Sequence, residues 1–311
     1  MLKLINIMPN KSAYEHLAKF QWFFIINILC VKRKSNNKRR YELSIMLIGR
    51  KNGKTLLSAL MFMLLMIMST PRAEYYSVAP DRELSSQLYK EFVKLIDNSP
   101  HISSYFKALR SEIRCAINNS VYKPLAYSVN RLDGRLASCW LSDETGALPT
   151  IYPIESMQSS QITLPEKMGI IISTAYETTS NPMVEQVGYA KKVLDKIVDD
   201  DTVFSLLYEP DNANEWYTDD SLLQANPLAY EVDVIRDNLY NKRKKAMEMP
   251  ETLTNFKTKH LNIFVDGNEL EQYVSIEDLQ KCKIETYDWY GRDVYLGVDL
   301  SKLMDTILVI I

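Results

Sequence analysis

The sequence has few of the residues that build zinc sites or disulfide frameworks. Its 311 residues include only four cysteines and three histidines. These are scattered without a C-x-x-C pair, which predicts a reduced, cytosolic protein without structural zinc. Two apolar runs, residues 22–31 and 56–68, fall short of the roughly 18 to 20 residues that span a bilayer, so both predict buried helices and no membrane segment. A net charge of -2 excludes nucleic-acid binding by overall charge and leaves only local basic surfaces.

The order of apolar segments predicts a parallel α/β sheet. Residues 41–49 and 74–80 are typical of strands, and the segment between them predicts a helix from Thr55 to the stop at Pro71. Asp81 is expected to cap a further helix that ends near Pro100. The remaining predictions are a helix over residues 14–31, a basic loop over 32–40, a hairpin from 112–119 and 121–128, and strands within 135–144, 167–176 and 202–210.

The character of the chain changes twice after the predicted sheet. Residues 1–209 are predicted to form one α/β domain. Residues 210–290 combine acidic loops with a charged helix at 234–249, which indicates a linker or lid region rather than a second large core. Residues 291–311 predict two strands joined by a polar turn, the start of a further domain.

The stretch "LIGRKNGKTLLSAL" has the residues of a phosphate-binding loop. Gly53 allows close backbone approach, Lys54 suits the β- and γ-phosphates, and Thr55 offers a hydroxyl for Mg²⁺ at a helix N-terminus. The strict pattern would place its first glycine at Ile48, whereas Gly49 comes one position later. A basic turn in front of a core helix is therefore the alternative.

Two later strands end in polar residues, where ligands bind in open α/β sheets. Asp143 and Glu144 could hold Mg²⁺ and activate water, as the hydrolysis of a phosphoanhydride requires. The alternative is an acidic pair exposed to solvent. Ser173 and Thr174 could sense the γ-phosphate, although an ordinary strand cap fits these residues equally well.

Several basic residues could add to such a site. Arg50 and Lys51 within the loop could neutralise transition-state charge, and Arg131 and Arg135 could do so for a neighbouring subunit. A solvated surface role fits each of them as well. The basic loop over residues 32–40 could contact a DNA backbone, or it could simply be solvated.

Together, these motifs resemble the large terminase subunit of tailed bacteriophages and prophages, a family of ATP-driven DNA-packaging motors. "GRKNGKT" resembles the family's Walker A loop, in which an early basic residue is usual and the first glycine is often missing. The other segments that resemble the family follow in its order: "FQWFFIINIL", "WLSDETGALPTIYPIESMQSSQ", "GIIISTAY", "NEWYTDDSLLQANP", "NFKTKHLNIFVDG" and "YLGVDLSKLMDT". The resemblance implies an additional-strand P-loop NTPase with a catalytic glutamate, then a linker and the first hairpin of an RNase H-like domain.

The resemblance also implies roles for individual residues. Glu144 would be the catalytic base, with Arg50 as a possible arginine finger and Ser173 and Thr174 as the coupling motif. Thr55 and Asp143 would hold Mg²⁺. The implied ATP-binding residues are Gln21 beside the adenine and Lys51, Asn52, Gly53, Lys54 and Thr55 in the loop.

The nuclease part is expected to be incomplete. Asp299 matches the first of the separated acidic residues that hold two metal ions in the family, and the other positions would lie beyond Ile311. Endonuclease activity is therefore not expected from this chain. The segment before "FQWFFIINIL" is also shorter than is usual in the family, which suggests a fragment, a split reading frame or a decayed prophage gene.

The implied partners are duplex DNA, the terminase small subunit and the portal protein, on which copies of the chain would form a ring in the host cytoplasm. Two alternatives remain open. One is an inactive remnant or split-gene product that binds nucleotide or DNA without turnover. The other is a small-molecule P-loop kinase, against which the pair Asp143 and Glu144 argues, since such kinases need no water-activating glutamate.

Overall fold

The computed structural model of the chain describes residues 1–128, 132–178 and 180–265, together with positions 281, 290–291, 297–298 and 309–310. They fall into two compact units, Met1–Gly267 and Asn268–Ile311. The first unit includes the helices that follow the predicted α/β domain. The domain boundaries predicted at residues 209 and 290 stay predictions.

The first unit is built around one large sheet. The strands of the first unit are β1 (Asn6–Met8), β2 (Lys11–Ser12), β3 (Leu43–Leu47), β4 (Glu74–Ala79), β5 (Phe106–Leu109), β6 (Glu112–Cys115), β7 (Ser120–Ala126), β8 (Cys139–Asp143), β9 (Gly169–Ser173) and β10 (Val203–Leu207). Its α-helices are α1 (Ala13–His16), α2 (Lys19–Cys30), α3 (Lys54–Met68), α4 (Arg82–Asn98), α5 (Pro100–Ser103), α6 (Tyr152–Ser159), α7 (Pro182–Leu194), α8 (Asp219–Ala225), α9 (Asp233–Glu248) and α10 (Leu253–Leu261).

Eight of these strands pair in the order β10-β3-β9-β8-β4-β7-β6-β5. The pairings from β10 through β7 are parallel, and β7-β6 and β6-β5 are antiparallel. The predicted, mostly parallel α/β sheet is confirmed. Strand β9 lies between β3 and β8, so the ends of these three strands are neighbours at one edge of the sheet.

Helices cover both faces of this sheet, which explains why its central strands are apolar throughout. In β9, Ile170 and Ile172 pack into the core shared with helices α2, α3 and α4. Ile171 packs into the core on the other face, with α6 and α7. A strand buried on both faces reads as a continuous apolar run rather than as an alternating one. Helix α3 is buried along most of its length, which accounts for its apolar sequence.

The single helix predicted over residues 14–31 is wrong in one respect, because the chain forms α1 and α2 with a break between them. Leu17 and Ala18 are extended at the break. The Gln21 side chain folds back and its Oε1 accepts a hydrogen bond from the Ala18 backbone N–H at 3.0 Å. This interaction satisfies a donor that the start of a helix leaves unpaired, so α2 begins at Lys19.

The other predicted elements of the sheet are confirmed, with ends that differ from the prediction by up to four residues. Asp81 caps α4, since its carboxylate accepts a hydrogen bond from the Leu84 N–H at 2.8 Å. Strands β6 and β7 form the predicted hairpin. Strand β5, which extends this hairpin to the sheet edge, was not predicted.

Helices α8, α9 and α10 occupy the region predicted as a linker or lid, and the charged helix predicted at residues 234–249 is α9. They share a small apolar core that includes Leu222, Leu239 and Phe256. In the second unit, β11 (Gly297–Val298) pairs antiparallel with β12 (Val309–Ile310), as the prediction of two strands required. Among the described residues, no helix is long and apolar enough to cross a membrane.

The basic loop over residues 32–40 precedes β3, so it lies at the opposite end of this strand from the predicted phosphate loop. Two of its cations form ion pairs. Arg33 lies 2.7 Å from Asp201, and Arg39 lies 3.2 Å from Glu166. These pairs neutralise part of the local charge that a DNA contact would use.

Candidate active site

The predicted phosphate loop connects β3 to α3 and turns closely at its end. Gly53 has a φ of 77°, a conformation that suits glycine, and caps the start of α3. A Cβ atom at this position would lie 2.8 Å from Gln21 Nε2. Lys54 and Thr55 then form the first turn of the helix. The loop therefore ends at a helix N-terminus, where backbone N–H groups favour an anion.

Asn52 holds the loop in its conformation and attaches it to the part of the chain that contains α8, α9 and α10, which we call the helical region. Its side chain is buried, and Nδ2 donates to the Gly49 carbonyl at 3.0 Å and to Asn226 Oδ1 at 2.9 Å. Its Oδ1 accepts from the Leu228 N–H at 3.1 Å. Gly49 permits this packing, because a Cβ atom there would lie 2.6 Å from Asn226 Oδ1. The strict motif has a glycine at the position of Ile48. In this chain the glycine is the next residue, Gly49, and its lack of a side chain leaves room for Asn226.

The centre of the site is an ion pair between Lys54, at the start of α3, and Glu144, directly after β8. Lys54 Nζ lies 3.0 Å from Glu144 Oε1, and the lysine side chain is 9% exposed. Glu144 Oε2 accepts a second hydrogen bond, from the Tyr176 hydroxyl at 3.1 Å. Burial alone would raise the pKa of Glu144, but Lys54 and the Tyr176 hydroxyl hold it below its usual value. Glu144 is therefore a carboxylate at neutral pH.

Asp143 ends β8 beside this pair, and its Oδ1 accepts from the Glu144 N–H at 3.0 Å. Burial, followed by the negative charge of Glu144, raises the pKa of Asp143 to about 6, although Lys54 acts in the opposite direction. Two adjacent carboxylates thus differ in proton affinity. Perturbed carboxylates of this kind are typical of functional sites.

The backbone at Glu144 is strained. Its φ of 50° and ψ of 46° lie in the left-handed region, which a non-glycine residue adopts at a cost. The turn that follows is held by a hydrogen bond of 2.7 Å between Ser142 Oγ and Thr145 Oγ1. Strain of this kind clusters at functional sites, because it directs a side chain where relaxed backbone would not. Here it directs Glu144 toward Lys54.

Ser173 lies between the two halves of the site, as the position of β9 requires. Its Oγ accepts from the Gly146 N–H at 3.0 Å and donates to the Thr174 carbonyl at 2.8 Å. Its backbone carbonyl accepts from the Ile48 N–H at 3.1 Å, directly before the loop. Thr174 is fully buried, and its hydroxyl is one of the few buried polar groups in the described chain that lack a hydrogen-bond partner.

The remaining predicted residues have different outcomes. Arg50 is exposed at the loop, and its N–H donates to the Lys259 carbonyl at 2.8 Å. The guanidinium of Arg135 lies 5.7 Å from the centroid of the Tyr76 ring. Arg131 and Asp299 lie outside the described residues.

Sequence reasoning missed four residues that complete the site: Tyr176, Asn226, Lys259 and Asn262. Tyr176 directly follows the polar end of β9, so its position in the chain was a signal. The other three come from the helical region. Nothing in its local pattern distinguishes them from surface residues.

The donor set fits Mg²⁺ bound together with a substrate. Thr55 and Asp143 supply a hydroxyl and a carboxylate, which are hard oxygen ligands. Within the described residues, no group of three or more His, Cys, Asp or Glu side chains could hold an ion by protein ligands alone. Mg²⁺ commonly binds through one or two protein oxygens, waters and substrate phosphates, so the small donor set suits it.

The inserted strand β9, the loop at the N-terminus of α3 and the carboxylates at the end of β8 define a P-loop nucleoside-triphosphatase fold of the additional-strand type. A family model for the terminase large subunit, ATPase domain, matches residues 19–192. A second model, for the terminase large subunit, endonuclease domain, matches residues 197–311. The chain belongs to the family of terminase large subunits.

Known proteins agree with this assignment. The crystal structure of the HK97 bacteriophage large terminase has the same fold, with a TM-score of 0.70 and 21% identity over 85% of this chain and 53% of that one. Protein YmfN of Escherichia coli is 24% identical over 176 residues, which are 56% of this chain and 38% of that protein. The chain thus spans about half of the HK97 protein and a smaller share of YmfN.

Proposed function

We propose that this chain is the ATP-hydrolysing subunit of a DNA-packaging motor, which couples hydrolysis to the movement of duplex DNA into a procapsid. The observation that carries the proposal is the buried contact of 3.0 Å between Lys54 at the head of α3 and Glu144 beside Asp143. It joins a phosphate-binding lysine to a carboxylate that can act on water, and membership of the terminase family supplies the context.

ATP would bind over the loop. The backbone N–H groups of Lys51, Asn52 and Gly53 would face the phosphates. Asn52 would contribute only its backbone N–H, because its side chain is already bonded to Gly49 and Asn226. The phosphates carry more negative charge than one carboxylate, so they would draw the Lys54 ammonium away from Glu144. Gln21, packed against Gly53, would contact the adenine side of the nucleotide.

Glu144 would act as the general base once Lys54 has turned to the phosphates. Its Oε1 is then free to take a proton from the attacking water, while Oε2 keeps its hydrogen bond from Tyr176. Thr55 and Asp143 would hold Mg²⁺, which when bound neutralises charge on the β- and γ-phosphates. Departure of Lys54 would leave burial, which raises the pKa of Glu144, opposed mainly by the Tyr176 hydroxyl, so the affinity of Glu144 for a proton would increase as it takes one from the water.

Arg50 would neutralise charge that develops on the transferred phosphoryl group, as an arginine finger within the loop. Ser173 and Thr174 would pass the nucleotide state to the rest of the molecule. Two contacts support this role: the Ser173 carbonyl bonds to the backbone before the loop, and the Ser173 hydroxyl bonds to the turn after Glu144. The unpartnered Thr174 hydroxyl is the polar group that a change of state could engage.

The proposal extends to partners and to the nuclease part. Movement of DNA would require a ring of copies on the portal protein, with the small subunit supplying the DNA, in the cytoplasm of a bacterial host. Asp299 would be the first metal-binding carboxylate of the nuclease site. The endonuclease model matches residues 197–311, so the expectation that this chain lacks nuclease activity needs a cleavage assay with Mg²⁺ or Mn²⁺.

Steady-state ATP hydrolysis with and without duplex DNA tests the motor proposal. We expect Lys54→Ala to weaken nucleotide binding, and Glu144→Gln to bind nucleotide but lose about 100-fold or more in kcat, as is typical when a general base is removed. Lys192→Ala and Glu155→Gln, which make the same kinds of change at exposed positions on α7 and α6, are the matched controls. Full activity in Glu144→Gln would contradict the proposal.

The alternatives give different results in the same assay. A parent chain that binds nucleotide but releases no phosphate, with or without DNA, would indicate an inactive remnant or one part of a split protein. Phosphate that appears on an added small-molecule acceptor rather than in solution would indicate a kinase. Neither result is expected, because Glu144 is held as a carboxylate beside the loop.

A further inference from the structure

Helix α10 brings a buried lysine to the edge of the site. Lys259 is 5% exposed, and its Nζ donates to the Ala175 carbonyl at 3.0 Å. The same Nζ lies 2.9 Å from the centroid of the Tyr176 ring. A buried ammonium is costly to desolvate, and burial, followed by the charge of Arg50, lowers the pKa of Lys259 to about 8. A cation retained at such a cost beside a catalytic-type site suggests a role there.

Tyr176 connects this lysine to the carboxylate that the proposed reaction uses. The Tyr176 hydroxyl donates to Glu144 Oε2 at 3.1 Å, while Lys259 covers the ring and bonds to the carbonyl of the preceding residue. The ring is thus held on its face and at its hydroxyl. If Lys259 were absent, the constraint on the face of the ring would be lost.

The backbone around Lys259 is itself anchored to the site. The Lys259 carbonyl accepts from the Arg50 N–H at 2.8 Å, within the phosphate loop. Just after α10, Asn262 Oδ1 accepts from the Ala175 N–H at 3.3 Å, and Asn262 Nδ2 donates to the Tyr208 carbonyl at 2.7 Å. The end of α10 is therefore attached to both the loop and the segment after β9.

We infer that Lys259 is a positioning residue for ATP hydrolysis, which acts through Tyr176 on Glu144. The inference rests on the proposed function, because it requires Glu144 to act on water. When Lys54 turns to the phosphates, Glu144 loses one of its two side-chain partners and the Tyr176 hydroxyl alone orients it. Lys259 holds Tyr176 in place at that moment. Since Lys259 belongs to α10, the position of this helix sets the orientation of the base.

The test compares two lysines of the same helix. Lys259→Met removes the ammonium and keeps much of the side-chain length. Lys257→Met makes the same change two residues away. The Lys257 ammonium lies 5.8 Å from the centroid of the Trp216 ring, and none of the contacts described for Lys257 is with Tyr176. We expect Lys259→Met to lower kcat about tenfold or more through misplacement of Glu144. The Kd for ATPγS should change by less than about threefold, since ground-state binding is not involved.

A double-variant comparison tests the route through Tyr176. Tyr176→Phe keeps the ring and removes the hydroxyl that orients Glu144. If Lys259 acts through this hydroxyl, the double variant loses no more kcat than the more severe single variant. If the fold-loss in kcat of the double variant equals the product of the two single losses, Lys259 does not act through the Tyr176 hydroxyl. If kcat in Lys259→Met equals that in Lys257→Met, the inference itself is wrong.

Failure of the inference and failure of the proposed function are distinguishable. An active parent with an unaffected Lys259→Met variant rejects only the positioning role, whereas an inactive parent rejects the motor proposal. With an inactive parent, the thermal unfolding of Tyr176→Leu, Lys259→Met and the double variant still tests the contact. Shifts in Tm that simply add would overturn it, and a double variant less destabilised than that sum would support it.

Discussion

Replacement of Asn226 by alanine is expected to destabilise the first unit and to loosen the phosphate loop. Asn226 is fully buried between the loop and two helices. Its Oδ1 accepts from Asn52 at 2.9 Å, and its Nδ2 donates to the carbonyls of Leu222 at 2.9 Å and His260 at 2.7 Å. Alanine removes all three hydrogen bonds and leaves buried polar groups without this partner.

The size of the effect follows from these contacts. Three hydrogen bonds at about 1 kcal/mol each give a loss of about 3 kcal/mol in the free energy of unfolding. For a unit of the size of Met1–Gly267, about 2 °C per kcal/mol converts this loss into a Tm lowered by about 6 °C. Because Asn52 would lose its side-chain contact with residue 226 and keep only the Leu228 N–H as a partner in the helical region, nucleotide affinity should fall as well.

The assay is thermal unfolding with and without ATPγS, beside Asn238→Ala as the control. Asn238 lies on α9, where its amide donates to the Val234 carbonyl in solvent, so its loss should cost less than about 0.5 kcal/mol. A Tm shift in Asn226→Ala no larger than that of the control would refute the reasoning on stability. A large shift with unchanged ATPγS affinity would refute the link between Asn226 and the loop.

Two further predictions concern the strands next to the site. Gly169→Ala would place a Cβ atom against the Trp140 ring and should cost about 2 kcal/mol by overpacking, measured by urea unfolding. The same change at Gly188, where the added atom meets open space, should not destabilise, and equal losses at both sites would contradict the packing argument. The raised pKa of Asp143, from 3.8 to about 6, means that its contribution to stability is present below pH 3.8 and is lost as the pH rises to about 6. Asp143→Asn should therefore gain stability relative to the parent across that window, and a pH-independent difference between the two proteins would refute the assignment.

Local sequence patterns were sufficient for most of the strands and helices of the sheet, β5 excepted, and for the polar strand ends. Apolar runs located β3, β8 and β9, and the polar residues at or after their ends supplied Lys54, Glu144 and Ser173. The helix break before α2 was not predictable in this way, because the apolar pattern continues across Ala18. The break depends on the Gln21 side chain, which turns back and accepts a hydrogen bond from the backbone. Gln21 also packs against Gly53 of the loop, a tertiary contact that the local pattern does not contain.

The contributions of the helical region were beyond local reasoning for a different reason. Lys257 and Lys259 stand two residues apart in the same charged helix, and helical periodicity places them on different faces. Which face is buried depends on how α10 packs against the segment after β9, more than 80 residues away in the chain. Asn226 likewise precedes a proline in a polar stretch that predicts a loop, and only its contact with Asn52 gives it a role.

The helical region is therefore part of the candidate site and not merely a linker beside it. It contacts the loop through Asn226 and through the Lys259 carbonyl, and it contacts the segment after β9 through Lys259 and Asn262. A nucleotide that displaces Lys54 from Glu144 changes the charge balance around Lys259, because both Glu144 and Lys54 act on the pKa of that lysine. We expect such a change to act on the contacts of Lys259, and through them on α10. Since packed interfaces respond by discrete shifts rather than by gradual deformation, helices α8, α9 and α10 are where hydrolysis would first become movement.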